Sequence, residues 1–213
     1  KAGSGALGDI GAHIIDLTQH ITGQHITGVS AATETFVKQR PLPTESTGLA
    51  AHGDSQATGP VTVDDAAVFV ARLDGGALAT YEATRFATGR KNGLRIEING
   101  SLGSVAFDFE RMNELEFYDA TRPGPEQGFT RILVTEPEHP YMSAWWPPGH
   151  PIGYEHSFTH QMRDFIEAIA TGTDPTPSFT DALQVQLVLQ AVEDSALTGV
   201  WTAVESALTA ADV

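Results

Sequence analysis

Between residues 64 and 134 the chain is one β-favouring segment after another, and from residue 154 it turns to helical periodicity. Strands in a run, then helices in a run, indicate an α+β fold; alternating βαβ units would need the two mixed. The segments DDAAVFVARL and ALATYEATRF flank Asp74-Gly75-Gly76, which is hairpin turn chemistry. LRIEINGSLGSVAFDF repeats the pattern, with Asn99-Gly100 opening the reversal. Arg95, Glu97 and Asn99 alternate with Leu94, Ile96 and Ile98, so one face is covered and the other is wet or meets a partner. ELEFYD and FTRILVT add two strands, and residues 26–38 are β-favouring as well. The spacing predicts a helix over 154–171 with Phe158, Met162, Phe165, Ile166 and Ile169 on its apolar face and Gly172 after it. A second helix is expected over 180–198, with Thr180 as N-cap and Leu183, Leu187, Val188, Ala191 and Val192 buried; Trp201 and Val204 suit a last short strand. The expectation is one α+β domain over residues 1–213, a mostly antiparallel open sheet with helices packed on one face.

The amino end reads as a glycine-rich loop leading into a helix. Ile10, Ile14, Leu17 and Ile21 recur as a helical stripe, Asp9 sits where an N-cap or first-turn acid belongs, and Gly23 is a plausible stop. Gly3, Gly5 and Gly8 match G-x-G-x-x-G, but the dinucleotide reading needs a strand before it and an acid after the second strand. Only two residues precede Gly3, and Glu34 lies inside a β segment. The glycines are therefore read as shaping the loop, and no cofactor-binding residue is assigned in this chain. Residues 39–62 are polar and aperiodic, a long excursion, and the proline-rich 136–153 with Trp145 and Trp146 is irregular.

Charge narrows the partners. Twelve basic against 27 acidic residues give a formal charge of −15. That balance speaks against nucleic acid and against an anionic membrane surface, both of which need clustered Lys and Arg. No window approaches a spanning length of about 18 apolar residues. The absence of cysteine removes disulfides, thiolate metal ligands and cysteine nucleophiles. Cytoplasmic placement is the default expectation.

The stretch GSGALGDIGAHIIDLTQHITG, with Asp9, Gly11 and His13 in D-x-G-x-H, resembles the C-terminal domain signature of the glucose–fructose oxidoreductase / inositol dehydrogenase (Gfo/Idh/MocA) family. Further similarity lies in Arg40-Pro41, the VDD before a strand, LDGGALATYEATR, IEINGSLGSVAFDF and the closing GYEHSFTHQMRDFIEAIATGTDPTPSFTDALQVQLVLQAV. The resemblance implies an enzyme of two domains, of which this chain corresponds to the second and begins after its first strand. It implies NAD or NADP in the intact enzyme, bound mainly by an N-terminal Rossmann domain absent from the chain. It also implies a sugar, anhydrosugar or polyol substrate, and a homo-dimer or homo-tetramer built through the sheet face.

The chemistry suits the residues. Oxidising an alcohol needs a group that accepts the hydroxyl proton, and a neutral imidazole does so near neutral pH. Asp9 and His13 are four apart, on one helical face, and a carboxylate beside a helix N-terminus can hold sugar hydroxyls. The resemblance makes His13 the general acid/base and Asp9 a substrate-binding or supporting residue; read alone, Asp9 also fits a cap and His13 a hydrogen-bonded helix residue. Gly11 between them leaves room for close approach of ligand or backbone. Tyr154 and His156 are assigned to the substrate pocket, because the closing helix borders it in this family. Trp145 and Trp146 suit either sugar stacking or a hydrophobic plug; Arg85, Arg90 and Lys91 suit substrate oxygens or a solvated rim. His156 and His160 form another i, i+4 pair, but H-E-x-x-H is absent and no metal site is assigned. The leading expectation is the substrate domain of an NAD(P)-dependent sugar dehydrogenase, inactive alone. The alternatives are a non-catalytic oligomerisation or binding module, and a metal-dependent lyase or hydrolase on oxidised glycosides using His13, His156 and His160.

Overall fold

The computed structural model describes residues 3–42, 45–47, 50–52 and 56–207, the two short stretches by their backbone alone. Two compact units divide the chain: Lys1–Thr88 with Phe179–Val213, and Gly89–Ser178.

In the first unit a single turn of π-helix, Leu7–Gly11, runs into α1, Ala12–Thr22, which ends at Gly23 in the left-handed conformation. Strands β1 (Ile26–Glu34), β6 (Ala66–Leu73), β7 (Leu78–Thr84) and β12 (Thr202–Ala203) form an antiparallel sheet in the order β12-β1-β6-β7, beside α3 (Phe179–Thr198). The strict alternation of β6 decides the inside: Ala67, Phe69, Ala71 and Leu73 are buried while Val68 and Val70 face out. Phe69 pairs across the ladder with Tyr81, the rings stacked at 4.6 Å, and the core closes with Leu7, Ile15, Ile26 and Val29 against Val185, Val188, Leu189 and Val192 of α3. Full burial of side chains of this size stabilises by about 1.5–3 kcal/mol each, so this packing fixes where the first helix sits.

The second unit is an antiparallel meander, β8 (Arg95–Gly100), β9 (Gly103–Asp108), β10 (Glu114–Asp119) and β11 (Thr130–Leu133), in the order β11-β10-β9-β8, followed by α2 (Tyr154–Thr171). Asn99 and Gly100 belong to β8, and Ser101-Leu102 make the turn. One sheet face carries a shallow concavity of about 270 Å³ whose walls are the charged side chains Arg95, Glu97, Asp108, Arg111, Glu114 and Glu116.

Both four-stranded sheets are antiparallel and the helices α2 and α3 follow the strands, as the sequence implies. Four local expectations are corrected. The buried stripe of the first helix is Leu7, Gly11, Ile15, Thr18 and Gln19, whereas Ile10, Ile14 and Leu17 are half-buried and Ile21 is exposed. A glycine, a threonine and a glutamine carry no apolar signal, yet Thr18 bonds its own helix at Ile14 O and Gln19 Oε1 accepts the Ile26 N–H, so both bury without loss. The apolar face expected of α2 is open to solvent, Phe158 by 51% and Ile169 by 66%, with Ala168 its buried residue. Helix α3 begins at Phe179, so Thr180 lies inside it, and Leu183 is exposed. The excursion over 39–62 contains the two-stranded ribbons β2 (Gln39–Pro41) with β5 (Thr58–Pro60), and β3 (Glu45–Thr47) with β4 (Ala50–His52); residues 43–44, 48–49 and 53–55 lie outside the described residues. Among the described residues no helix is long and apolar enough to cross a membrane.

Candidate active site

The amino-terminal loop owes its shape to Asp64. One carboxylate oxygen accepts the Gly5 N–H at 2.8 Å and the other the Leu7 N–H at 2.7 Å, while the Asp64 carbonyl accepts the Ala6 N–H at 3.0 Å. The Gly8 N–H is taken by Ser4 Oγ at 3.0 Å. The cap of the first helix is thus Asp64, brought in from the VDD segment before β6, and Asp9 is a first-turn acid paired with Arg85. Gly5 is required here: a Cβ would stand 1.8 Å from the Asp64 carbonyl oxygen. Its neighbour Asp65 is buried and holds the next loop. The Val37 N–H and the Arg40 guanidinium keep its carboxyl below the usual range, against the opposing effect of burial.

Asp9 and His13 follow on the exposed side of that helix start, four residues apart across the join between π-turn and α1. Asp9 is ion-paired with Arg85, just past the end of β7, with 64% and 48% of the two side chains exposed. Gly11 between Asp9 and His13 is buried, and a Cβ there would meet Leu7 Cδ1 at 3.2 Å and Ala83 Cβ at 3.5 Å. Its missing side chain lets the helix sit close on β7, so the room left by Gly11 is taken by Ala83.

Asp16, three residues beyond His13, is half-buried. Burial raises its carboxyl above the ordinary value, the nearby His20 opposes this, Asp181 adds to it and His13 opposes it. His13 thus has a half-buried carboxylate, Asp16, within electrostatic reach on its own helix. A concavity of about 460 Å³ opens beside the same loop at Ser4, Thr35, Lys38, Asp64 and Glu193; neither Asp9 nor His13 lines it.

Tyr154 and His156 lie in the second unit, at the start of α2. His156 Nδ1 accepts the Gly153 N–H at 3.0 Å and caps that helix, which places its ring proton on Nε2. Tyr154 is edge-on to Phe109 and to Phe158, its side of the helix open to solvent. Trp145 donates to His160 Nε2 at 2.8 Å and stands edge-on to His156 at 4.4 Å, while Tyr141 stacks on His160 at 4.3 Å and donates to Asp164. Trp145 is therefore part of a packed aromatic cluster, whereas Trp146 is 73% exposed. Arg90 and Lys91 belong to a turn clasped by Glu110, which accepts from both residues and from the Asn92 N–H. Among the described residues no three His, Asp or Glu side chains cluster in a metal-binding arrangement.

Sequence reasoning did not assign Asp64 or Asp16, nor the pairing of Arg85 with Asp9. The first two left a trace, as an acidic doublet ahead of a strand and as H-x-x-D spacing on the helix. The Asp9–Arg85 pair spans 76 residues and leaves no local signal.

A D-x-G-x-H helix start laid on an antiparallel α+β scaffold defines a class. The chain belongs to the Gfo/Idh/MocA family, and residues 1–106 match the profile described as the GFO/IDH/MocA C-terminal domain. Levoglucosan dehydrogenase from Pseudarthrobacter phenanthrenivorans is 39% identical over 204 residues, 94% of this chain and 52% of the relative. The crystal structure of an oxidoreductase domain protein from Kribbella flavida matches with a TM-score of 0.89 and 64% identity, over 97% of this chain and 53% of that one. A levoglucosan dehydrogenase structure in complex with NADH and levoglucosan matches at 0.86 and 38%, over 96% of this chain and 52% of that one. The chain thus spans about half the length of the relatives it matches.

Proposed function

We propose that this chain is the substrate-side part of an NAD(P)-dependent dehydrogenase that oxidises a hydroxyl of a sugar, anhydrosugar or polyol, with His13 as general acid/base and Asp9 holding substrate hydroxyls. The observation that carries the reading is the exposed Asp9 and His13 on a helix start clamped by Asp64, in a chain 39% identical to levoglucosan dehydrogenase. Tyr154 and His156 are taken, in the same proposal, as further residues that contact substrate. The Gly3–Gly8 loop does not suit a dinucleotide: the N–H groups of Gly5, Ala6, Leu7 and Gly8, which a pyrophosphate would need, are all taken by Asp64 and Ser4. In this reading the cofactor is bound mainly by an N-terminal nucleotide domain of the intact enzyme, where it would supply the hydride acceptor.

This chain's own work is proton transfer and positioning. His13, neutral, takes the proton of the reacting hydroxyl as the carbonyl forms, and returns it in the reverse direction. Asp9 accepts a hydrogen bond from a sugar hydroxyl and fixes the ring. Three of the four described Lys and Arg side chains of this unit, Lys38, Arg40 and Arg85, are already paired with a carboxylate, which suits a neutral substrate better than a sugar acid or phosphate. The partner expected besides substrate is a second copy, a homo-dimer or homo-tetramer through the outward sheet face on which Val68, Val70 and Leu78 are exposed.

The test is the full-length enzyme with NAD+ or NADP+ and a panel of neutral sugars headed by levoglucosan. His13→Ala lowers kcat by about 10²–10⁴, the range of a lost general base, while the 213-residue chain alone reduces neither cofactor. Full-length activity that survives His13→Ala would refute the assignment.

A further inference from the structure

We propose that Arg85 is a positioning residue of this site: its guanidinium holds Asp9 Oδ2, so that Oδ1 is aimed at the substrate hydroxyl. The inference rests on the dehydrogenase reading and adds to it a residue that neither the D-x-G-x-H motif nor its spacing contains.

Geometry carries it. Arg85 Nη2 donates to Asp9 Oδ2, and among the described residues Oδ1 accepts no hydrogen bond. The guanidinium projects from a fixed point, because the Arg85 N–H donates to the Asp65 carbonyl at 3.0 Å and Asp65 is itself buried and bonded to Val37 and Arg40. Asp9 stands on a helix start clamped by Asp64, next door in sequence to Asp65. Both ends of the pair therefore hang from adjacent residues of the VDD segment. Both side chains are also exposed, and an exposed ion pair contributes little to folding. What the pair does achieve is to remove the rotational freedom of a carboxylate four residues from His13. Arginine suits this better than lysine, since its planar fork fixes direction as well as charge, and the donors not used on Asp9 remain for sugar oxygens.

The test uses the full-length enzyme carrying Arg85→Ala, Arg85→Lys, Asp9→Asn and the double variant. Arg85→Ala raises the sugar KM by about tenfold, the worth of one charge-assisted hydrogen bond, with kcat within about threefold. Arg85→Lys recovers part of that loss, having charge without the fork. In the Asp9→Asn background Arg85→Ala adds less than about twofold, because coupled residues are not additive. An unchanged KM in Arg85→Ala, with His13→Ala inactive, overturns this inference and leaves the dehydrogenase reading standing. The inference is equally overturned if Arg85→Ala acts undiminished in the Asp9→Asn background, or lowers thermal stability and kcat together. If His13→Ala retains full activity, or no sugar is oxidised at all, the dehydrogenase reading falls and the role of Arg85 falls with it.

Discussion

Removing the Asp64 carboxylate tests the account of the helix start most directly. In Asp64→Ala the N–H groups of Gly5 and Leu7 lose their acceptors at 2.8 and 2.7 Å, whereas the Ala6 N–H keeps the main-chain carbonyl. Gly5 and Leu7 are both buried, so water replaces the carboxylate poorly. Loss of a capping acceptor costs about 0.5–2 kcal/mol, and a buried donor left unpaired about 1–3 kcal/mol. Asp64 itself is half-buried, which admits some water and places the sum at about 2–3 kcal/mol. For a chain of this size that is a fall of roughly 5–10 °C in midpoint. Asp64→Asn keeps one acceptor and loses about half as much. Thermal unfolding followed by circular dichroism gives the global number. Amide exchange gives the local one: Gly5 and Leu7 exchange about 30- to 150-fold faster in Asp64→Ala, the same energy read as a rate. A shift below about 0.5 kcal/mol, with the Gly5 and Leu7 amides still protected, would refute the clamp, since it would leave no room for even the weakest cap.

Two titrations follow from the second unit. Burial, and then the neighbouring His156, hold His160 below the ordinary histidine value of 6.5, so the folded state favours the neutral ring that accepts from Trp145. That stabilisation is complete above pH 6.5 and is lost as the pH falls through the lower folded value, and tryptophan fluorescence changes over that interval in the wild type but not in Trp145→Phe. Glu110 is held at about 2, chiefly by the Lys91 N–H and then by the Arg90 guanidinium. Its clasp on the 90–92 turn is complete above pH 4.5 and fails only as the pH falls through about 2, so amide exchange at Lys91 and Asn92, corrected for the intrinsic pH dependence, stays constant from pH 7 to 5 and accelerates in Glu110→Gln at any of these values.

The strands were legible because their determinants are local. Asp74-Gly75-Gly76 and the alternation of Arg95, Glu97 and Asn99 with apolar neighbours each specify a hairpin within a few residues, and β6–β7 and β8–β9 form there. The buried side of the first helix was not legible, because Gly11, Thr18 and Gln19 are buried by contacts that composition does not encode: Ala83 against Gly11, and hydrogen bonds for the other two. The α2 stripe misled in the opposite way. Phe158, Met162, Phe165, Ile166 and Ile169 have the spacing of a buried face, and spacing reports amphipathicity without saying that anything lies on it. At the site, Asp9 and His13 were visible as a short motif, while Arg85 and Asp64 arrive through pairings of 76 and 59 residues that no local pattern records.

The contact between Gly11 and Ala83 makes a buried alanine on β7 a remote control for the helix it touches. With so little space between them, every methylene added at position 83 must be absorbed by tilting or lifting the helix, because closely packed interiors transmit displacement and do not soak it up. The imidazole two residues along would travel with it, and a misplacement of about 1 Å is enough to cost a reaction two orders of magnitude. A library built to broaden substrate scope would therefore do well to hold positions 11 and 83 small, and a slow variant isolated from one should be sequenced there before its substrate contacts are blamed.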